Sequence, residues 1–156
     1  MTATLTPSDT HAQRLALAVP ALLLAGAYIS EYGFGLFPCE MCWWQRYPHF
    51  VAVALAIVSY LAPPRRVWVG LAALAIAVSG GIGVYHAGVE YGWWDSPLGC
   101  TASDPFSLDF VRCDEPAWTL MGISLAGFNA MLSIGSAVAI WVLLLAREKQ
   151  IGEKQA

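Results

Sequence analysis

Four long stretches of this chain carry no charged side chain, and they restrict its folds more than any other feature. Leu15–Ser30 is uncharged, and its apolar character continues through Phe37. Tyr47–Ala62 is the second, extended backwards by Trp43 and Trp44. Val67–Val89 runs 23 residues without a charge, and Trp118–Ala146 runs 29. A helix needs about 20 mostly apolar residues to cross hydrocarbon, so all four qualify, the second marginally. The runs are continuous rather than alternating, which argues against barrel strands. Backbone groups in lipid must pair within their own segment, so each run reads as a helix. A soluble domain would need more polar cover: 58% of the 156 residues are hydrophobic and 12% are charged. That charged share is about half the usual one. Disorder is excluded on the same ground. The net charge of −3 and the lack of a Lys/Arg cluster argue against a nucleic-acid partner. The expected fold class is an all-α integral membrane protein, one domain over 1–156, built as a four-transmembrane-helix bundle. Its spans are expected near 15–37, 43–62, 67–89 and 118–146, with outer loops near 31–46 and 90–117. Seven Trp and six Tyr suit two membrane interfaces.

Orientation follows from the basic residues. Arg14, Arg65, Arg66, Arg147, Lys149 and Lys154 fall on one side of a chain that crosses four times. Arg46 and Arg112 fall on the other, together with Glu31, Glu40, Glu90, Asp95, Asp104, Asp109, Asp114 and Glu115. The positive-inside rule then places both termini in the cytoplasm. Arg14, the apolar run and Ala25-Gly26-Ala27 also resemble a cleavable signal. The run to Phe37 is too long for a signal core, so the segment is read as retained. Pro63-Pro64 closes a tight turn between the second and third spans. In the 90–117 loop, Asp104-Pro105 could cap a short helix with Phe106 and Phe110 on one face, or the segment is irregular.

All four cysteines, Cys39, Cys42, Cys100 and Cys113, fall on the outer side. In a bacterial-type membrane that side is oxidising, so disulfides persist there. Three pairings are open, and the spacing favours Cys39–Cys42 with Cys100–Cys113. Cys39-Glu40-Met41-Cys42 follows Pro38 at a helix start, where free N–H groups and the dipole favour a thiolate. Arg46 lies one turn beyond Cys42 on the same face. A cation at the membrane border needs a partner, such as a thiolate or a ligand head group, unless it snorkels to the interface. A four-thiolate zinc site is the chemical rival, but Cys100 and Cys113 are not in a knuckle. Covalent haem would need His after Cys42, where Trp43 stands. Closing the Cys100–Cys113 loop would contribute roughly 3 kcal/mol as a staple. A C-x-x-C ring staples almost nothing, which points to exchange chemistry. His86 stands near the outer end of the third span, placed to bond a buried polar ligand or, more commonly, backbone. Gly80, Gly81, Gly83 and Gly88 thin that helix, for close packing or for a flat ring. His49 carries no particular signal.

Pro38-Cys39-Glu40-Met41-Cys42-Trp43-Trp44-Gln45-Arg46 resembles the P-C-x-x-C-x-x-x-R signature of the disulfide bond formation protein DsbB family. Arg112-Cys113-Asp114-Glu115, followed by Trp118, Gly122, Ser124 and Asn129, is similar to the run entering that family's last helix. The resemblance covers nearly the whole chain. It implies a bacterial inner-membrane enzyme that reoxidises a DsbA-like periplasmic thiol oxidase and passes the electrons to the membrane quinone pool. The quinone would be ubiquinone or menaquinone. By the same resemblance Cys100 meets the partner, Cys113 exchanges with Cys39, and Cys42 is left as a thiolate beside the quinone. Arg46 would hold that thiolate and a quinone carbonyl, with His86 as a further polar contact. The second loop is short and leaves Cys113 little slack to reach Cys39.

Two alternatives stand beside this reading. One is a disulfide-stapled membrane scaffold without redox turnover. The other is a quinone-linked thiol oxidoreductase of the vitamin K epoxide reductase type, although there the loop cysteines precede the C-x-x-C and here they follow it.

Overall fold

The computed structural model describes residues 6–96 and 112–155. They form four helices and one small hairpin: α1 Pro7–Phe34, α2 Glu40–Leu61, α3 Arg65–Glu90, β1 Thr119–Leu120, β2 Ile123–Ser124 and α4 Leu125–Gln155. Each helix packs on its chain neighbour, and α1 closes the ring against α4, leaving α1 and α3 on the diagonal. Alanines dominate the centre, with Ala12, Ala16, Ala52, Ala56, Ala72, Ala73 and Ala137 packed around Ile76 and Ile140. Larger side chains such as Leu22, Ile29, Leu61, Val67 and Leu145 point outward. Small inside and large outside is the pattern of helices held by close backbone approach in lipid.

Three helices, α1, α3 and Leu125–Ala146 of α4, are long and apolar enough to cross a membrane. The sequence predicts four such spans, and α2 is where the expectation weakens. Its first ten residues include Glu40, Gln45, Arg46, Pro48 and His49. Gln45, Arg46 and His49 are buried, so this end of the bundle is polar inside.

Local chemistry sets the boundaries, and three differ from expectation. Thr6 and Asp9 form a reciprocal cap at the start of α1, with Pro7 in the first turn. That helix stops at Phe34 rather than Phe37. Gly35 takes a left-handed conformation at φ 68°, and the Leu36 N–H returns to the Ser30 carbonyl at 3.0 Å. α2 starts at Glu40 rather than Trp43 because the Cys39 sulfur caps it, accepting the Cys42 N–H at 3.3 Å. The expected 31–46 loop therefore shrinks to 35–39. The last span does not start at Trp118. Met121 and Gly122 have φ of 52° and 78°, which turns the chain into the β1–β2 hairpin first. Tyr91 fastens that hairpin, its hydroxyl donating to the Gly122 carbonyl at 2.7 Å and accepting the Ser124 N–H at 3.0 Å. The helix considered for 104–110 lies outside the described residues. At the opposite end, Arg66 approaches Asp9 at 3.5 Å and donates to the Leu144 carbonyl at 2.6 Å, joining α1, α3 and α4. Gln13 donates to Ser59 at 3.0 Å beside them.

The α3 glycines serve both purposes read from the sequence. A Cβ on Gly83 would come within 3.0 Å of the Ala126 carbonyl oxygen and the Ala130 amide nitrogen, so α3 and α4 touch through backbone. A Cβ on Gly88 would collide with the ring of Trp94, so a flat ring does lie there, and it is the protein's own. Around Gly81 there is nothing within 4 Å. Gly83→Leu should therefore destabilise the bundle by about 3 kcal/mol through overpacking, while Gly81→Leu stays near neutral. Thermal unfolding in detergent checks this, and equal melting of the two variants would refute the packing.

Candidate active site

Cys39 and Cys42 stand at the capped start of α2, with sulfur atoms 3.0 Å apart. Both are thiols in this structure. They face different surroundings. Cys39 is buried against Met41, Val89 and Cys113, in one cluster that Cys42 borders. Cys42 instead lines a cavity of about 260 Å³ enclosed by α1, α2, α4 and the 35–38 connection. The cavity walls include Leu22, Leu23, Leu36, Phe37, Leu125 and Phe128, with Gln45, Arg46, His49 and Asn129 as polar points. A dry cavity of about 150 Å³ takes a benzene ring, so this volume and lining suit one substituted ring.

Arg46 lines the same cavity but answers first to Glu31, its Nη1 donating to Oε2 at 2.6 Å, with both side chains largely buried. A second guanidinium nitrogen donates to the Ala27 carbonyl at 3.3 Å. Tyr28 and Trp43 hold the guanidinium carbon at 4.9 and 4.8 Å from their ring centres. The sequence predicts a thiolate or ligand partner for Arg46. Its protein partner is a carboxylate on α1 that the sequence reading counted only as outer-side charge.

His86 is not among the residues that line the cavity. Its Nε2 lies 3.6 Å from the Cys39 sulfur and 3.7 Å from Glu90 Oε1, and the ring also bonds the Cys113 backbone. Its Nδ1 meets Gln45 Nε2 at 2.8 Å. His86 thus stands beside the buried sulfur of Cys39. Glu90 is held in turn by the Ser124 side chain. Cys100 lies outside the described residues. Cys113 is buried, and its neighbour Arg112 turns away to Asp114 at 2.8 Å and Glu115 at 3.0 Å. The Arg112 guanidinium holds the Asp114 carboxyl below its ordinary range. Sγ of Cys39, Sγ of Cys42 and a nitrogen of His86 lie within 4.8 Å of one another, a spacing that could also hold a soft metal ion.

Behind the sulfurs lies a polar network that no local pattern encodes. Asn129 Nδ2 donates to Gln45 Oε1 at 2.8 Å and to the Ser79 carbonyl at 3.2 Å. Ser79 Oγ donates to the Gln45 carbonyl at 2.8 Å. His49 Nε2 stands 2.9 Å from both Asn129 Oδ1 and Ser79 Oγ. The available signal was the presence of Ser79, Asn129 and Ser133 inside otherwise apolar runs, since polar groups in a span seek one another.

The family model for disulfide bond formation protein DsbB matches residues 10–143. The chain belongs to this family. A disulfide bond formation protein B of an Azoarcus species is 31% identical, covering 79% of this chain and 84% of its own. That of Marinobacter nauticus is 27% identical, covering 83% and 89%. Disulfide bond formation protein B 2 of Pseudomonas aeruginosa is 28% identical, and all of both chains is covered. No solved structure matches the chain. Family membership and three membrane-capable helices make this a bacterial membrane protein.

Cys39 caps the helix from outside it, and its thiol is pushed well above the ordinary thiol range. The main cause is its hydrogen bond to the Cys42 sulfur, and burial adds to it, with His86 opposing. Cys39 of the reduced protein should therefore keep its proton through neutral pH. Its alkylation should reach half-maximal rate above the free-thiol value of about 8.5. Cys42→Ala should move that midpoint down. Rapid Cys39 alkylation at pH 7 would show that the proton does not reside there.

Proposed function

We propose that this protein reoxidises a DsbA-like periplasmic thiol oxidase and delivers the electrons to a membrane quinone. The observation that carries the reading is the divided outlook of the C-x-x-C pair. Cys39 is packed with Cys113, whereas Cys42 opens on a ring-sized apolar cavity. One sulfur thus faces the thiol side of the reaction and the other the lipid-soluble acceptor. The topology that goes with it is four crossings with both termini cytoplasmic, so that the cysteine end lies in the periplasm. Arg66, Asp9 and Leu144 tied together at the other end support that arrangement.

The exchange balances as follows. A partner thiolate attacks Cys100 of a Cys100–Cys113 disulfide and releases Cys113. The second partner thiol then displaces Cys100, leaving the partner oxidised and both loop cysteines reduced. Cys113 attacks Cys39 of a Cys39–Cys42 disulfide and releases Cys42 as a thiolate. Cys100 next attacks Cys113, restores the loop disulfide and leaves Cys39 and Cys42 reduced. A quinone bound beside Cys42 supplies the sink for two electrons and two protons. DsbA is strongly oxidising, at about −120 mV, so a second protein disulfide alone would make poor headway without such a sink. Cys42, Arg46 and His49 would hold it. His86, facing Cys39, is placed to donate a hydrogen bond to that sulfur as the Cys39–Cys113 bond forms and breaks.

The test is oxidation of a reduced DsbA-like protein by the purified chain in detergent, with decylubiquinone as acceptor. Turnover should require quinone, survive chelation of metal ions, and vanish in Cys42→Ser. Cys113→Ser should trap a mixed disulfide through Cys100. Trapping through Cys39 would reverse the order of transfer, and a chain inert with any quinone would favour a stapled scaffold. An externally active reporter enzyme should be silent when fused after Gln150 and active near Ser103, and the opposite pattern would reject the topology.

A further inference from the structure

By distance alone, the reduced C-x-x-C pair and His86 form a site for a thiophilic metal ion. Bonds of about 2.3 Å to sulfur and about 2.1 Å to an imidazole nitrogen, at a tetrahedral angle, put those two atoms about 3.6 Å apart. Cys39 Sγ and His86 Nε2 stand 3.6 Å apart. Cys42 Sγ belongs to the same cluster, whose atoms all lie within 4.8 Å of one another. The two sulfurs, now 3.0 Å apart, would have to separate by about 0.8 Å to share one ion. Cys42 borders the cavity and has room for that shift. Glu90 Oε1, 3.7 Å from His86 Nε2, offers a fourth ligand.

The hydrogens around Gln45 deny the ion its nitrogen. Gln45 Nε2 faces the Met41 carbonyl at 3.2 Å, and a carbonyl only accepts, so that atom is the amide nitrogen. Gln45 Oε1 receives Asn129 Nδ2 at 2.8 Å, an atom itself fixed as nitrogen by the Ser79 carbonyl at 3.2 Å. The same Gln45 nitrogen lies 2.8 Å from His86 Nδ1. An amide nitrogen donates and does not accept, so Nδ1 is bare and the hydrogen of the neutral ring sits on Nε2. A nitrogen that carries a hydrogen has no lone pair for a metal. Moving that hydrogen to Nδ1 would set two N–H groups against each other. Turning the Gln45 amide instead would break its bonds to Met41 and Asn129. Metal-bound histidines show the reverse arrangement, with the second ring nitrogen donating to a carboxylate or a carbonyl.

We propose that Gln45 is a specificity residue that keeps thiophilic metal ions such as zinc and cadmium out of the reduced Cys39–Cys42 pair, by holding the His86 ring hydrogen on the nitrogen that would otherwise bind them. The inference goes beyond the quinone reading and does not rest on it. Any turnover of the pair passes through two free thiols, one of them open to the cavity. An ion bridging both would hold them out of exchange.

Cadmium alone is the probe, titrated against the untagged, reduced full chain in detergent and read by its sulfur-to-cadmium absorption. Cys100→Ser and Cys113→Ser are present throughout, so that only the C-x-x-C pair responds. In this parent His86→Ala should leave cadmium affinity unchanged, because His86 is not a ligand. Gln45→Glu turns an acceptor toward Nδ1 and frees Nε2, so affinity should rise at least about tenfold. Adding His86→Ala should abolish that gain, a non-additivity that general loosening of the bundle does not produce. Nitrogen-15 NMR of the histidine-labelled parent should show His86 protonated on Nε2 alone, which needs no variant to fold. A tenfold loss of affinity in the parent with His86→Ala overturns the proposal, as does an Nδ1-protonated His86. So does a folded Gln45→Glu that gains nothing, or a gain that survives His86→Ala. Quinone is absent from every sample, so these outcomes are separate from the identity of the acceptor.

Discussion

The side-chain amide of Gln45 is held at both of its ends. Its oxygen accepts from Asn129 at 2.8 Å, and its nitrogen donates to the Met41 carbonyl at 3.2 Å and meets His86 Nδ1 at 2.8 Å. Both amide protons are committed, so the amide cannot turn round without breaking three bonds. That constraint makes His86 Nδ1 an acceptor and puts the ring hydrogen of the neutral form on Nε2, facing Cys39 and Glu90. Through Asn129 the same constraint fixes His49. One amide thus orients two histidines on two helices: one lies beside the Cys39 sulfur, and the other lines the cavity.

Burying Arg46 obeys a different logic. A guanidinium and a carboxylate removed from water cost more in desolvation than a good pair always returns. Glu31 is therefore weak grounds for extra stability, and its effect is positional. With Glu31 on one side and the Tyr28 and Trp43 rings against it, the guanidinium cannot swing out to snorkel. The cation is held on the cavity wall by the protein's own groups. A site that handles a developing negative charge benefits from a donor already in place.

Much of the frame was legible because it is written in short-range chemistry. The charge-free runs located the helices, Pro63-Pro64 marked their tightest turn, and the C-x-x-C spacing marked the reactive start of α2. The boundaries moved where a single residue overrode the apolar pattern: Gly35 by its left-handed backbone, Cys39 by its capping sulfur, and Met121-Gly122 by a turn. The site was less legible. Arg46 with Glu31, Gln45 with His86 and His49 with Asn129 join residues of different helices, and periodicity says nothing about which neighbour a face will meet. His86 was expected at a ligand because it is polar and near the outer end of α3. Its Nε2 lies beside the Cys39 sulfur, a contact between α3 and the start of α2 that periodicity does not specify.

The short second loop changes meaning once the structure is considered. Little slack works against Cys113 reaching Cys39 only if a loop cysteine must travel. Here Cys113 is already against Cys39, and the chain around it is held down. Its backbone meets His86, and a few residues later the β1–β2 hairpin is fastened by Tyr91, the neighbour of Glu90. A tethered Cys113 carries no further ordering entropy cost for lying beside Cys39. The short chain between the hairpin and Cys113 thus holds that sulfur in the same buried cluster as Cys39.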